Sequence, residues 1–216
     1  MLIYGALCVN LSDAPSARFA RTCPESAPTF LPAGCDAIAP RAKCTKQRVA
    51  KTMQHATDLE HLQRSIELAD EAVTEGNHPF GAVLVSASGD VLMEGKNSHS
   101  VDRGPGHAET NLARAAARAF DIDTLRAATL YTSVEPCSMC SGTIYWAEIG
   151  AVVFGMTEHR LGEMTGEDPE NPTQDLECRV IFASGRRPVA VRGPFPELED
   201  RIAAQHKAFW NTDTSA

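Results

Sequence analysis

The chain has 216 residues, 43% of them apolar and 22% charged, which is the composition of a globular protein large enough for one domain with its own core. Its longest apolar runs fall far short of the roughly 20 residues that cross a bilayer, so no membrane association is expected. The net charge of -8 is unevenly spread: residues 1–52 hold seven Lys/Arg against three Asp/Glu, and the remainder holds 13 against 25, an acidic balance that suits a phosphate backbone poorly.

Residues 1–52 contain five scattered prolines, four of the seven cysteines and no period of 2 or 3.6. They read as a disordered tail or a start assigned too far upstream, with Met53 as the candidate start and 53–216 as the domain. A transit peptide is a further reading, weakened by Asp13, Glu25 and Asp36. From Asp58 to Glu75 the apolar positions Leu59, Leu62, Ile66, Leu68, Ala69, Ala72 and Val73 predict an amphipathic helix that Gly76-Asn77 ends. Phe80–Val85 and Val91–Gly95 flank the turn Ser88-Gly89-Asp90 and predict a hairpin. A helix is expected over His107–Phe120, a strand over Thr129–Val134, a helix from Pro136 to about Glu148 and a buried strand over Ala151–Phe154. Arg179–Phe182 and Val189–Val191 are weaker strand candidates, Gly162–Pro172 reads as a polar loop, and Leu198–Trp210 closes the chain as a helix. That order predicts a mixed sheet with helices packed on it.

Two segments carry chemistry. In Pro136-Cys137-Ser138-Met139-Cys140 one helical turn puts both thiols on one face, at a helix N-terminus that favours thiolate. His107 opens the other helix and can add an imidazole. Thiolate and imidazole suit Zn²⁺, and three protein ligands leave a fourth position for water, as in a catalytic site. Such a metal would lower the pKa of its water toward about 7, and Glu109 would move the proton. Two plainer readings stand beside this: a closed structural zinc with Cys178 or His159 as fourth ligand, and a buried C-x-x-C with no metal. The odd cysteine count fits a reducing, cytoplasmic compartment better than a disulfide framework.

The pairing of His107-Ala108-Glu109 with Glu135-Pro136-Cys137-Ser138-Met139-Cys140 resembles the cytidine deaminase-like superfamily. His78-Pro79-Phe80-Gly81-Ala82-Val83-Leu84-Val85, Gly95-Lys96-Asn97 and Leu130-Tyr131-Thr132-Ser133 extend the likeness over about residues 58–156. It implies a three-layer α/β/α sandwich around a five-stranded mixed sheet, an oligomer expected here as a homodimer, zinc on His107, Cys137 and Cys140, and Glu109 as proton shuttle. Thr143-Ile144-Tyr145-Trp146-Ala147 is similar to bacterial guanine deaminases. By that likeness Trp146 and Phe80 line the base pocket, while Asn97 and the backbone N–H of Ala108 bind the base.

The expected function is therefore hydrolytic deamination of a nucleobase or nucleoside, first a purine such as guanine, with zinc as the cofactor. Cytosine or another small heterocycle is an alternative, as is wobble adenosine in tRNA. The acidic balance speaks against nucleic acid, and Glu109 against a non-catalytic zinc module. Beyond residue 156 the likeness fades. The acids Asp168, Glu170 and Asp175 align with nothing secure there, and His206–Trp210 either closes a pocket or caps the core.

Overall fold

The computed structural model describes the backbone of residues 39–166, 168–169 and 171–210, with side chains from residue 48 onward. The chain divides into units 1–40 and 41–216, and the site lies in the second. The proline-rich segment up to residue 38 lies outside the described residues. Helix α1 (Ala39–Thr74) runs across the 52/53 boundary. Its buried stripe is Leu62, Ile66, Ala69 and their neighbours Leu68 and Ala72, the i, i+4, i+7 spacing of one helix face. It stops where the sequence says: Gly76 takes φ +79°, and the N–H groups of Gly76 and Asn77 donate to the carbonyls of Val73 and Ala72. This is a glycine-closed helix end.

The hairpin of β1 (Gly81–Val85) and β2 (Val91–Lys96) follows. A one-turn helix, α2 (His99–Asp102), leads to α3 (Ala108–Ala119) and α4 (Ile122–Ala127), then β3 (Thr129–Val134) and α5 (Ser138–Trp146). The chain ends with β4 (Ala151–Met156), α6 (Glu158–Thr165), α7 (Cys178–Ser184), β5 (Ala190–Arg192) and α8 (Pro196–Trp210). The five strands form one mixed sheet in the order β2-β1-β3-β4-β5. β1 is antiparallel to both neighbours, whereas β3, β4 and β5 are parallel and so need helical crossovers. Strand alternation then makes three layers. Ala82, Leu84, Leu130 and Val152 pack toward α3, α5 and α7, while Val83, Val85, Tyr131 and Val153 pack toward Leu62 and Leu68 of α1. Strand β1 and helix α1 approach closely, since a Cβ on Gly81 would stand 2.3 Å from the Ser65 carbonyl oxygen. Among the described residues no helix is long and apolar enough to cross a membrane.

Residues 179–182 are helical, not a strand. The run Val180-Ile181-Phe182 has strand composition, but Cys178 and Phe182, four apart, are both buried while Val180 is exposed. That is the pattern of a helix face. The polar stretch from Gly162 is helical as far as Thr165, because Thr157 caps α6 by accepting from the Arg160 N–H at 3.1 Å. Likewise Asp121 caps α4 through the Thr124 N–H at 2.8 Å.

Three elements are tied together by one buried carboxylate. Asp58 of α1 accepts two bonds from Arg192 of β5, both at 2.8 Å, and one from the Tyr131 hydroxyl of β3 at 3.0 Å. Burial pushes the Asp58 carboxyl up, but bonds from Arg192, Gln54 and Tyr131 outweigh it and hold the carboxyl below its ordinary 3.8. Its contribution to stability is thus full above about pH 4 and fades as pH falls through the lowered value. Arg192→Met is expected to cost about 2–3 kcal/mol in urea unfolding at pH 7, less than the roughly 3–5 of a fully buried pair, because the guanidinium is partly solvated. The deficit is expected to shrink once Asp58 is protonated, which a repeat of the titration in acid would read.

Candidate metal centre

The N-termini of α3 and α5 meet at one end of the sheet. His107 is the N-cap residue of α3 and Cys137 that of α5, both with extended backbone, and neither side chain caps its own helix. Both side chains are therefore free to turn outward from the helix axis, toward each other. Cys140, one turn into α5, is fully buried. His107 Nδ1 lies 3.7 Å from Cys137 Sγ and 3.5 Å from Cys140 Sγ, and all three ligand atoms lie within 4.8 Å of one another. A tetrahedral zinc with ordinary Zn–N and Zn–S bonds has N···S edges of about 3.5 Å and S···S edges of about 3.8 Å, so the donor set fits the ion in both chemistry and spacing. The two residues weighed as a fourth ligand are engaged elsewhere. His159 is exposed and paired with Asp175 at 3.0 Å, and Cys178 is buried beside Glu135.

The electrostatics suit a cation. A bond from the Cys140 thiol, with His107 alongside, brings Cys137 down to about 4 against the opposing effect of burial. The same bond and burial push Cys140 up. For His107, burial works against the charge, yet Cys137 and Glu109 outweigh it and the ring's pKa is raised. One site thus gathers two thiols, an imidazole and a carboxyl, which a bound dication would satisfy together.

Glu109, 3% exposed, stands in the first turn of α3. Its Oε1 accepts from the Thr132 hydroxyl at 2.9 Å, and its Oε2 faces the triad, 3.6 Å from Cys140 Sγ. Burial raises its pKa, with His107 opposing. Ala108 is buried as the first residue of α3, where a backbone N–H has no helical partner. The Phe80 ring lies parallel to the His107 imidazole, 4° between planes and 6.1 Å between centroids. Asn97 is buried, with its N–H on the Phe80 carbonyl at 3.1 Å and its Oδ1 accepting from the His99 N–H at 2.8 Å. Phe80, Ala108 and Glu109 are thus gathered round the triad, and Asn97 is joined to them through the Phe80 carbonyl.

Trp146 is not. It is 82% exposed and lines a surface groove of about 550 Å³ with Met139, Gly142 and Thr143. The cause is helical phase: at about 100° per residue, Trp146 lies about 120° round α5 from Cys140, and the inward positions are Cys140, Ser141 and Ile144. Within one chain, Trp146 is therefore no wall of the site.

Four side chains were missed as parts of the site. Thr132 holds Glu109, and Thr110 Oγ1 lies 3.3 Å from Cys140 Sγ. Glu135, 3% exposed, accepts from the N–H groups of Cys178 at 2.9 Å and Glu158 at 3.4 Å. Glu158 is buried too, and burial followed by the Cys137 charge pushes it up to about 8. Thr132 and Glu135 lie just upstream of the cysteine motif in sequence, a weak signal. The contacts of Thr110 and Glu158 exist only in three dimensions.

The cytidine and deoxycytidylate deaminase zinc-binding region matches residues 55–156. A probable cytosine deaminase of Schizosaccharomyces pombe is 35% identical over 159 residues, covering 71% of this chain and 93% of that protein. The chain belongs to the cytidine deaminase-like deaminases. A guanine deaminase of Bacillus subtilis is 40% identical over 118 residues, 54% of this chain and 72% of its own. A solved structure of guanine deaminase from Nitrosomonas europaea shares the fold with a TM-score of 0.55 at 24% identity, over 70% of this chain and 83% of that one. The family is a zinc-binding one, the triad is a group positioned to hold such a metal, and hydrolysis of a C–N bond is the reaction class. Because Thr110 bonds a zinc ligand, Thr110→Val is expected to weaken zinc binding about 10-fold. Competition against a chromophoric chelator would measure it, with circular dichroism to check the fold.

Proposed function

We propose that this deaminase hydrolyses the exocyclic amine of a free nucleobase, with guanine the first substrate to test. The observation that carries the reading is the buried Glu109, held on one oxygen by Thr132 with the other turned to the triad. Zinc held by His107, Cys137 and Cys140 would supply Lewis acidity and make a water acidic enough to attack at neutral pH. Glu109 then does the proton work. Its Oε1 is fixed, so Oε2 takes the proton from water and passes it to the departing nitrogen, which leaves as ammonia while the ring carbon gains oxygen. The raised carboxyl pKa, caused first by burial, suits a group that must hold a proton between those events.

Binding falls to the groups around the triad. Phe80 offers a flat apolar wall for a planar ring. Asn97 has its Oδ1 occupied by the His99 N–H, which turns its Nδ2 donors to the base. The Ala108 N–H, free at the start of α3, is the further donor. A second reading, cytosine as substrate, is favoured by the likeness to the yeast protein over 93% of that protein's length. Wobble adenosine in tRNA is disfavoured by the acidic balance of residues 53–216. We place the protein in the cytoplasm as a homodimer. The groove that exposes Trp146 and Met139 on the outer face of α5 is the apolar surface a second copy would cover.

Ammonia release by the zinc-loaded protein over guanine, guanosine, cytosine, cytidine, adenine and adenosine tests the substrate. Turnover of guanine is expected, and turnover of cytosine alone would move the assignment to the second reading. Glu109→Gln is expected to keep its zinc and lose about 10²- to 10⁴-fold in kcat, and wild-type rates in that variant would refute the mechanism. In light scattering after size exclusion, wild-type protein is expected at twice the chain mass and Trp146→Glu at the chain mass.

A further inference from the structure

The last two turns of α8 run beside the site. The Phe80 ring, parallel to zinc ligand His107 on one side, meets the edge of the His206 ring on another, 5.0 Å between centroids and 63° between planes. His206 Nδ1 accepts from the Trp210 indole N–H at 3.1 Å. Trp210 packs edge-on against His78 at 4.8 Å, and His78 stacks on His99 at 3.9 Å. The His99 N–H in turn holds Asn97. The contacts thus run from the triad through α8 and back to the amide assigned to the base.

Within that circuit His206 is fully buried, and its Nε2 has no hydrogen-bond partner among the described residues. The proton is on that nitrogen. An indole N–H only donates, so Nδ1 must be the acceptor and Nε2 the N–H of the neutral ring. Burial, with His78 adding to it, lowers the pKa to about 3, so the ring stays neutral at physiological pH. A buried donor left unmet is destabilising, and native interiors rarely keep one without a ligand or ordered water to receive it.

We infer that His206 is a specificity-determining residue whose Nε2–H donates to an acceptor atom of the bound heterocycle, a ring nitrogen or carbonyl oxygen, with Trp210 fixing the tautomer. The inference rests on the nucleobase reading of the site. It gives α8 a part in substrate choice: a base that presents N–H or C–H where His206 points is discriminated against.

The test uses zinc-loaded full-length Glu109→Gln protein, in which bases bind without turning over. Calorimetric titration with guanine, cytosine and adenine would give the reference affinities. Adding His206→Phe, which keeps a ring and removes the donor, is expected to weaken the base that binds best about 10- to 100-fold. Adding His206→Gln, whose amide N–H reaches near the Nε2 position, is expected to keep affinity within a few fold. Trp210→Phe frees the tautomer and is expected to weaken binding several-fold. Nitrogen-15 spectra of the His206 ring are expected to show Nε2 protonated and its proton moving downfield when base is added. Unchanged affinity in His206→Phe and an unmoved Nε2 proton would overturn the inference alone, assigning the donor to a trapped water. If His206→Phe does not fold, the Nε2 proton shift and the Trp210→Phe affinity decide by themselves. No binding of any base by the folded, zinc-loaded protein would overturn both this inference and the nucleobase reading.

Discussion

The carboxylate of Glu135 fastens the end of the sheet on which the site is built. It sits at the exit of β3, two residues before Cys137, and its own N–H is bonded to the Met156 carbonyl of β4 at 2.8 Å. Its two oxygens take the first N–H groups of α7 and α6, donors that a helix N-terminus cannot satisfy internally. One side chain therefore sets the cysteine loop against two helices that follow it in sequence. An apolar residue here would leave both helix ends unmet in a buried place, where each orphan donor is costly.

From that anchor the site follows by geometry. β3 delivers Thr132 and then Glu135, so the strand that leads to the cysteines also supplies the hydroxyl that holds Glu109. α3 and α5 each present an N-terminus to the same point, and both helix dipoles favour negative charge there. Two cysteine sulfurs and a carboxyl group thus converge where a dication is wanted. The arrangement also divides α5 between two tasks. Cys140, Ser141 and Ile144 face inward, and Met139 and Trp146 face out, so metal binding and surface chemistry share one short helix without competing.

Much of this was legible in the chain. Gly76 ended α1, and Thr129–Val134 was a strand to the residue, because apolar β-branched runs and a glycine carry local instructions. His107, Cys137 and Cys140 announced themselves because metal chemistry restricts residue type and spacing. One strand reading fails for a definable reason. Val180-Ile181-Phe182 has strand composition, yet a carboxylate 43 positions upstream caps it as a helix. Trp146 was read from its neighbours in a motif, whereas its direction is set by helical phase.

The sequence by itself singled out His107, Cys137, Cys140 and Glu109 by residue type and motif, and most of the strands and long helices by short-range period, while the three-layer arrangement followed from the family likeness. Only the tertiary structure decided which buried groups meet. Thr110 on Cys140, Glu135 on two helix starts and His206 beside Phe80 join residues 23 to 126 positions apart. No local period reaches that far, because such contacts are fixed by how the layers stack.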